Sequence, residues 1–279
     1  MQHLQQYLFV SDHAKRRHNL KTVKIMVNEI SDNWYEDFFQ GINCELWEKA
    51  IPAEVTRQEV DFLLNELNLK KGQHILDIPC GSGRHAIEFS KHGLNVTGVD
   101  ISETFIKGLT EKITSEKLNI NAILADILTI QLNQKFSGAV CLGNSFGYFN
   151  IERMKLFIEK VSSSLDSGAK FIINSGMIAE SILPNFLNNS KNNSYNVGNI
   201  TMDVTNIYNV EDCFIKSNLH YTQEGKTEEH SFKHYVFTLG EVKRLLKLYG
   251  LSITATYSST SKEEYKLGDR QVYIVAKKD

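Results

Sequence analysis

The chain has 279 residues, of which 42% are hydrophobic and 23% charged, and its formal net charge at neutral pH is −2. These values are typical of a globular protein with a sizeable core, and the lack of a basic excess argues against nucleic acid as a partner. The four cysteines form no CxxC pair, and no apolar stretch reaches the roughly 18 residues of a membrane span. We therefore expect a cytoplasmic protein with reduced thiols, no membrane segment and no metal site.

The N-terminal residues differ in composition from the rest of the chain. Residues 1–31 are polar and basic, with Lys15-Arg16-Arg17-His18 at their centre. A signal peptide has its charges before a long apolar stretch, which this segment lacks. We predict a flexible tail over 1–31 with no role in the chemistry. Met26, just before the globular pattern begins, is a candidate natural start.

From residue 32 onward, helical and strand patterns alternate, which indicates a parallel sheet covered on both faces. Aromatic and apolar residues at helical spacing predict helices within 32–70. The predicted core, 71–177, has strands at 74–78, 95–100, 121–125, 138–142 and 170–174. The stretch 185–199 holds seven asparagines and predicts a loop. The remaining predicted elements are β-runs at 200–209, 212–222 and 229–238, a helix at 239–249, and strands at 251–257 and 270–276.

A glycine-rich turn follows the first core strand. Residues 75–83 read Ile-Leu-Asp-Ile-Pro-Cys-Gly-Ser-Gly, and Asp100 closes the next strand 19 positions after Gly81. A strand, a glycine turn, a helix and a second strand ending in an acid are typical of nucleoside-binding α/β proteins. Residues 81–86 also match G-x-G-x-x-A, which leaves a nicotinamide-dependent oxidoreductase open. Against that reading, Asp77 and Pro79 stand where a dehydrogenase has glycine.

Together with the Pro-Cys-Gly-Ser-Gly-Arg-His run at 79–85, these residues resemble the class I S-adenosylmethionine-dependent methyltransferases, over roughly 32–279. Asp126-Ile127 resembles the family's pair that contacts adenine. Residues 142–148 resemble the segment after strand four in glycine and sarcosine N-methyltransferases. The resemblance implies an α/β fold with a doubly wound, mostly parallel seven-stranded sheet and an antiparallel last strand. It also implies a helical cap (32–70), a cofactor-binding core (71–177), an antiparallel lid insert (178–238) and a C-terminal helix and β-hairpin (239–279).

The same resemblance assigns the candidate site. The cofactor would be S-adenosylmethionine, with S-adenosylhomocysteine as product, and Asp100 would bind the ribose hydroxyls. The predicted cofactor-binding residues are Asp77, Pro79, Cys80, Gly81, Ser82, Gly83, Arg84, Asp100, Ile101, Ser102, Asp126, Ile127, Leu142, Gly143, Asn144 and Phe146. The predicted substrate-binding residues are Trp34, Tyr35, Phe39, Trp47, Tyr148 and Tyr235. No catalytic base is assigned, and the acceptor-side candidates are Tyr148, Asn144, Tyr35 and His234.

The function that follows is methyl transfer by in-line displacement to a small-molecule acceptor, with N-methylation ahead of O-methylation. No His–carboxylate pair stands out, and a neutral amine needs no strong base while a hydroxyl usually does. Three alternatives stay open: a nucleic-acid-modifying methyltransferase, a non-catalytic S-adenosylmethionine-binding partner subunit and, last, the oxidoreductase. We expect a monomer or a homodimer.

Overall fold

The structure is a computed structural model that describes residues 30–189 and 193–279, so Met26 and most of the predicted tail lie outside it. The strands of the described residues are β1 His74–Asp77, β2 Asn95–Asp100, β3 Ile120–Leu124, β4 Phe136–Cys141, β5 Leu165–Ser175, β6 Asn193–Val197, β7 Ile200–Asn209, β8 Phe214–Gln223, β9 Lys226–Tyr235, β10 Leu251–Tyr257 and β11 Val272–Lys278. The helices are α1 Tyr35–Phe38, α2 Gly41–Lys49, α3 Ala53–Leu67, α4 Arg84–Lys91, α5 Glu103–Glu116, α6 Ile151–Ser164, α7 Ala179–Asn189 and α8 Leu239–Leu248.

Seven strands form the central sheet in the spatial order β10-β11-β5-β4-β1-β2-β3. β11 runs antiparallel to both β5 and β10. The pairings among β1 to β5 are parallel. The predicted doubly wound sheet with an antiparallel last strand is confirmed. Because β1 has β2 on one side and β4 on the other, the chain reverses its direction of travel there, and such a switch point opens a crevice at the carboxyl ends of the strands.

Helices cover both faces of this sheet, as the buried residues of each strand require. Alternate residues of β1 and β4 point to opposite faces, so Ile75 packs with Leu63 of α3 and Phe89 of α4 in one apolar cluster. Leu76, its neighbour, belongs to the cluster on the other face, which includes residues of α6 and α8 such as Phe157 and Leu246. Helices therefore cover both faces of the sheet, and the edge formed by the carboxyl ends of its parallel strands remains available for a binding site.

A four-stranded antiparallel sheet in the order β6-β7-β8-β9 lies within the predicted lid insert, and we call this sheet the lid. The predicted β-runs are confirmed as β7, β8 and β9, with shifted ends. Asn209 Oδ1 accepts hydrogen bonds from the backbone of Glu211 and Asp212, so Asp212 lies in a turn before β8 begins. Glu224 and Gly225 form the turn between β8 and β9, with φ of 49° and 80°. A two-residue turn with both φ positive suits the twist of a hairpin, which explains the glycine.

The prediction of a loop over 185–199 is wrong for 185–189 and 193–197, while 190–192 lie outside the described residues. Residues up to Asn189 belong to α7, and β6 pairs along β7 from Asn193 to Val197. Asn185 Nδ2 donates hydrogen bonds to Ser181 O and to Gly268 O, which fastens the helix to a loop far along the chain. Asparagine has low helix and strand propensity, but propensity is a weak prior that tertiary contacts override.

The lid is docked on the loop that follows β4, through the last residues of β9. The backbone N–H of Tyr235 donates to Gly147 O at 2.7 Å, and His234 Nε2 donates to Phe146 O at 2.9 Å. His234 is 2% exposed, and burial lowers its pKa to about 4, so the ring is neutral above that pH. Gly147 has φ of +109°, and a Cβ there would lie 2.7 Å from His234 Nε2. Only glycine fits this contact between lid and core.

No helix of the described residues is long and apolar enough to cross a membrane. Within the same part of the chain, no group of three or more His, Cys, Asp or Glu side chains could hold a metal ion.

We expect Gly147→Ala to lower the free energy of unfolding by roughly 2–4 kcal/mol, because left-handed strain and a steric clash add together. The matched control is Gly225→Ala. Gly225 also has positive φ, but a Cβ there meets nothing within 4 Å, so only the conformational cost remains. Urea unfolding of both variants measures the difference. Equal losses would contradict a close contact at Gly147.

Candidate active site

Asp77 is the last residue of β1 and lies at the switch point of the sheet, 1% exposed. One carboxylate oxygen accepts the backbone N–H of Ala86, while Oδ2 is buried and has no hydrogen-bond partner. Burial raises the pKa of Asp77 to about 7, Arg84 opposes this rise, and the charge of Asp100 adds to it. A buried polar atom without a partner carries a free-energy cost that a ligand donor can remove. Asp77 is thus bonded to the first turn of α4 and keeps one buried oxygen without a partner.

The turn after Asp77, residues 79–83, uses its two glycines in different ways. A Cβ on Gly83 would collide with the side chain of Leu109, so Gly83 allows α4 and α5 to approach. A Cβ on Gly81 would meet nothing within 4 Å, and the same holds for Gly143 after β4. Both have positive φ. The backbone at Gly81 and Gly143 therefore borders open space in which a ligand can approach closely.

Asp100 ends β2 beside this turn and is 5% exposed. Its Oδ2 accepts the N–H of Gly81 at 2.8 Å, and its Oδ1 accepts the N–H of Ser102 at 2.9 Å. Burial raises the pKa of Asp100, and these backbone hydrogen bonds oppose the rise. The backbone N–H of Ile101 is a third donor to this carboxylate, which leaves capacity for one further donor among its roughly four lone-pair positions. The carboxylate thus holds the glycine turn and the start of α5 in one geometry.

An aromatic cluster of the cap, the loop after β4 and the lid stands near this acid. Its members are Trp34, Phe38, Phe39, Tyr148 and Phe232, with ring centroids 4.9–6.3 Å apart in the contacting pairs. Ser102 Oγ donates to Phe39 O at 2.9 Å, which joins the cluster to the residue that also binds Asp100. Trp34 Nε1 is buried and has no hydrogen-bond partner. His234 contacts the cluster through the ring of Tyr148, at 5.4 Å.

Other predicted residues lie along the same crevice. Asp126 Oδ1 accepts the N–H of Leu128 at 2.8 Å, which shapes the turn after β3. Burial raises the pKa of Tyr35, and the charge of Asp126 adds to this rise. Asn144 Oδ1 accepts the N–H of Gly176 at 2.6 Å, which ties the loop after β4 to the end of β5. These contacts hold the loops after β3, β4 and β5 in place at the carboxyl edge. The remaining predicted residues of these loops that are buried are Ile127, Leu142 and Phe146.

Three of the predicted residues face elsewhere. The guanidinium of Arg84 donates to Thr56 and Glu59 on α3. Trp47 is 42% exposed on α2, outside the aromatic cluster. The hydroxyl of Tyr235 donates to Asp32 Oδ1 at 3.2 Å, on the opposite face of β9 from His234. Their roles in cofactor or substrate binding stay predictions.

Sequence reasoning missed a buried carboxylate, Glu59. It accepts hydrogen bonds from Arg84, from His85 at 3.1 Å and from the Tyr273 hydroxyl at 3.0 Å. Burial opposes ionisation, but the hydrogen bonds and charges of His85 and Arg84 outweigh it and lower the pKa of Glu59 to about 2. The acid joins α3, α4 and β11 directly behind the glycine turn. No local signal could reveal it, because its partners are 25, 26 and 214 residues away.

The model of a family described as "Methyltransferase domain" matches residues 75–168, which contain the glycine turn, Asp100 and the loop after β4. Residues 75–168 are similar to a methyltransferase domain, and we call them the methyltransferase-like domain. The domain is 36% identical over 89 residues to the ubiquinone biosynthesis O-methyltransferase of Coxiella burnetii, covering 29% of this chain and 38% of that protein. It is 26% identical over 119 residues to the glycine/sarcosine N-methyltransferase of Aphanothece halophytica, covering 42% of this chain and 44% of that protein. The chain thus spans less than half the length of these relatives.

Solved structures extend the likeness of the methyltransferase-like domain to most of the chain, at the level of fold. An S-adenosylmethionine-dependent methyltransferase from Clostridium acetobutylicum superposes with a TM-score of 0.71 at 19% identity, covering 85% of this chain and 96% of that one. The CcbJ methyltransferase from Streptomyces caelestis superposes with a TM-score of 0.72 at 14% identity, covering 88% of this chain and 98% of that one. At such low identity the agreement concerns architecture alone.

The class I methyltransferases that the sequence resembles use S-adenosylmethionine as methyl donor, and the residues of the crevice are compatible with it. Asp77 has a buried carboxylate oxygen without a hydrogen-bond partner. Asp100 is an acid at the end of β2, and Gly81 and Gly143 leave space for close approach of a ligand to the backbone. These are the features that a nucleoside with a charged amino-acid tail requires.

Asp100→Asn should weaken S-adenosylmethionine binding about 10- to 100-fold, the scale of one charge-assisted hydrogen bond. The amide keeps the shape of the side chain but offers one acceptor oxygen instead of two. The control is Asp166→Asn, an exposed acid at the start of β5, which should bind normally. Isothermal titration calorimetry measures both. Unchanged affinity in Asp100→Asn would show that the ribose assignment is wrong.

Cofactor affinity should rise with pH between about 6 and 8, because Asp77 has a pKa of about 7 in the free protein. A bound cation favours the ionised carboxylate, so the cofactor has to displace the proton below that pH. We expect affinity to improve by about three- to tenfold across this window in the wild type. Asp77→Asn should flatten the profile. The cofactor's own amine titrates in the same way with both proteins, so only the difference between the two pH profiles of affinity reports on Asp77. The same profile in the wild type and in Asp77→Asn would contradict contact between Asp77 and the cofactor.

Proposed function

We propose that this chain transfers the methyl group of S-adenosylmethionine to a small-molecule acceptor, with an amine nitrogen ahead of a hydroxyl oxygen. The observation that carries the proposal is the pair of buried acids around Gly81. Asp77 and Asp100 end neighbouring parallel strands, Asp77 keeps an unpartnered oxygen, and the glycine between them borders open space. This pair falls within the methyltransferase-like domain.

The sulfonium of the bound cofactor supplies an electrophilic methyl, so the protein has to bind and orient. Asp100 holds the ribose end and fixes the glycine turn. Asp77 offers its free oxygen to the cationic end. The cap and the lid exclude water through the aromatic cluster, and the acceptor atom has to stand in line with the methyl at about 3–3.5 Å. The aromatic faces of Trp34 and Tyr148 suit contact with a cation or an amine.

The preference for nitrogen rests on the histidines near the cluster. His234 Nε2 is engaged by the Phe146 carbonyl, and its lowered pKa of about 4 makes the ring a weak base. His230 Nε2 lies 3.4 Å from Glu228 and packs against Phe38. His234 has no carboxylate partner, and Glu228, the carboxylate beside His230, also accepts the backbone N–H of Ile42 at 2.9 Å, so we take neither histidine as the base for a hydroxyl. An amine that arrives neutral needs positioning only, which this site offers.

A direct assay tests the proposal. The purified chain is incubated with labelled S-adenosylmethionine and, separately, with glycine, sarcosine, glucosamine, catechol and a short RNA, and S-adenosylhomocysteine is measured. Turnover with a small amine supports the proposal. Turnover with RNA alone would favour a nucleic-acid enzyme. Tight cofactor binding without turnover on a wider amine panel, with a stable protein partner in pull-down, would favour a non-catalytic subunit.

Gly81→Ala should weaken cofactor binding at least tenfold and reduce turnover with it, because the added methyl projects into the crevice while the protein itself has room for it. Gly72→Ala is the matched control, since Gly72 also has positive φ and open space but lies before β1. Both variants carry a similar conformational cost of about 1 kcal/mol. Equal cofactor affinity in the two variants, measured by calorimetry, would refute the position given to the cofactor.

A further inference from the structure

A cavity of about 620 Å³ lies between the lid and the first turns of α6, α7 and α8. We call it the lid cavity, and its wall includes Asn150, Ala179, Asp212, Lys233, Tyr235 and Glu241. The volume is in the range of small-molecule sites, which are typically about 300–1,000 Å³. No part of the cofactor crevice described above forms this wall.

Strand β9 separates the lid cavity from the aromatic cluster. Side chains of a strand alternate between faces, so Phe232 and His234 point to the cluster, while Lys233 and Tyr235 point to the cavity. The contacts follow this alternation. Phe232 packs on Trp34 at 5.3 Å, whereas the rings of Tyr235 and Phe214 contact each other at 5.8 Å on the cavity side. The cavity is therefore a second space on the other face of the strand that docks the lid.

The charged groups of the cavity wall are three carboxylates and one ammonium: Asp32, Asp212, Glu241 and Lys233. Lys233 Nζ lies 2.9 Å from Asp32 Oδ1, and this contact lowers the pKa of Asp32. Arg153 stands behind Asp32, bound to its backbone carbonyl, and is not part of the wall. With Lys233 and Asp32 paired, the carboxylates of Asp212 and Glu241 are in excess. An anionic wall attracts cations and repels anions.

The aromatic part of the wall is also suited to a cation. Lys233 Nζ already stands over the ring of Phe214, 5.6 Å from its centroid. Ring faces attract ammonium groups through their quadrupole, and they also pack against an apolar ligand body. Ile151, Leu183 and Val236 complete the apolar surface.

We propose that the lid cavity binds a small molecule with an ammonium group on an apolar or hydroxylated ring. The ammonium contacts the side of Asp212 and Glu241, and the ring packs between the aromatic and aliphatic walls. The site is distinct from the methyl-transfer crevice, so the proposal stands or falls independently of the proposed activity.

Cys213 provides a reporter for this site. It lies in the cavity wall and is exposed, while Cys44, Cys80 and Cys141 are buried. In the folded protein, thiol reagents should modify Cys213 alone, which mass spectrometry verifies. Modification of a second cysteine would identify a misfolded variant. Where a double variant misfolds in this way, its two single substitutions are tested instead.

The first measurement compares two methanethiosulfonates of similar size, one with a trimethylammonium group and one with a sulfonate. Normalised to a free small thiol, the cationic reagent should modify Cys213 about three- to fivefold faster, the effect of two nearby charges in water. The double variant Asp212→Asn, Glu241→Gln should abolish this preference, and Glu263→Gln, an exposed acid outside the cavity, should retain it. A preference for the sulfonate, or one that the double variant keeps, would overturn the proposal.

The second measurement uses three probes with the same ring: cyclohexylamine, cyclohexanol and cyclohexanecarboxylate. Each is tested at millimolar concentration for protection of Cys213 against N-ethylmaleimide, a neutral reagent. Cyclohexylamine should protect best and the carboxylate least, and the double variant should lose the advantage of the amine over the alcohol. Equal protection by all three, or none by the amine, would refute an ammonium site. Calorimetry with S-adenosylmethionine reports on the methyl-transfer crevice separately.

Discussion

The contact between β9 and Gly147 is the constraint on which the arrangement of this molecule depends. Two hydrogen bonds from the lid, from the Tyr235 backbone and the His234 ring, reach neighbouring carbonyls of one short loop. That loop begins at Gly143 beside the cofactor crevice and ends at Asn150 in the wall of the lid cavity. The absence of a side chain at residue 147 lets the strand come this close. The attachment thus lies between the two spaces.

A second chain of contacts joins the cap to the cofactor acids. Phe39 O accepts from Ser102 Oγ, and Ser102 N donates to Asp100, which in turn holds Gly81. Glu59 holds the opposite side of the same turn through Arg84 and His85. The glycine turn is thus fixed from the cap, from β2 and from α3. Such prior fixing lowers the entropic cost of binding a flexible cofactor.

The sequence revealed the local features of this site and little of its long-range chemistry. The alternation of helical and strand patterns predicted the parallel core, and the β-runs after residue 200 predicted three strands of the lid. These features are local, so neighbouring residues carry their signals. The asparagine-rich stretch 185–199 was predicted as a loop because asparagine has low helix and strand propensity. Packing against distant residues overrides this weak preference. The pairing of Asp32 with Lys233 spans 201 residues and leaves no periodic trace. The partners of Glu59, the two faces of β9 and the lid cavity required coordinates for the same reason.

The place of β11 in the sheet has a consequence for synthesis on the ribosome. β11 is the last of the seven strands to be made, yet it lies between β10 and β5, and its residues from Val272 to Lys277 pair with β5. Until those residues emerge, β5 has a bare strand edge in the interior of the sheet. Unpaired edges recruit other strands, so nascent chains of this protein are most exposed to misassociation at β5. Chaperone capture during translation should therefore concentrate on that strand and cease once the hairpin of β10 and β11 is complete.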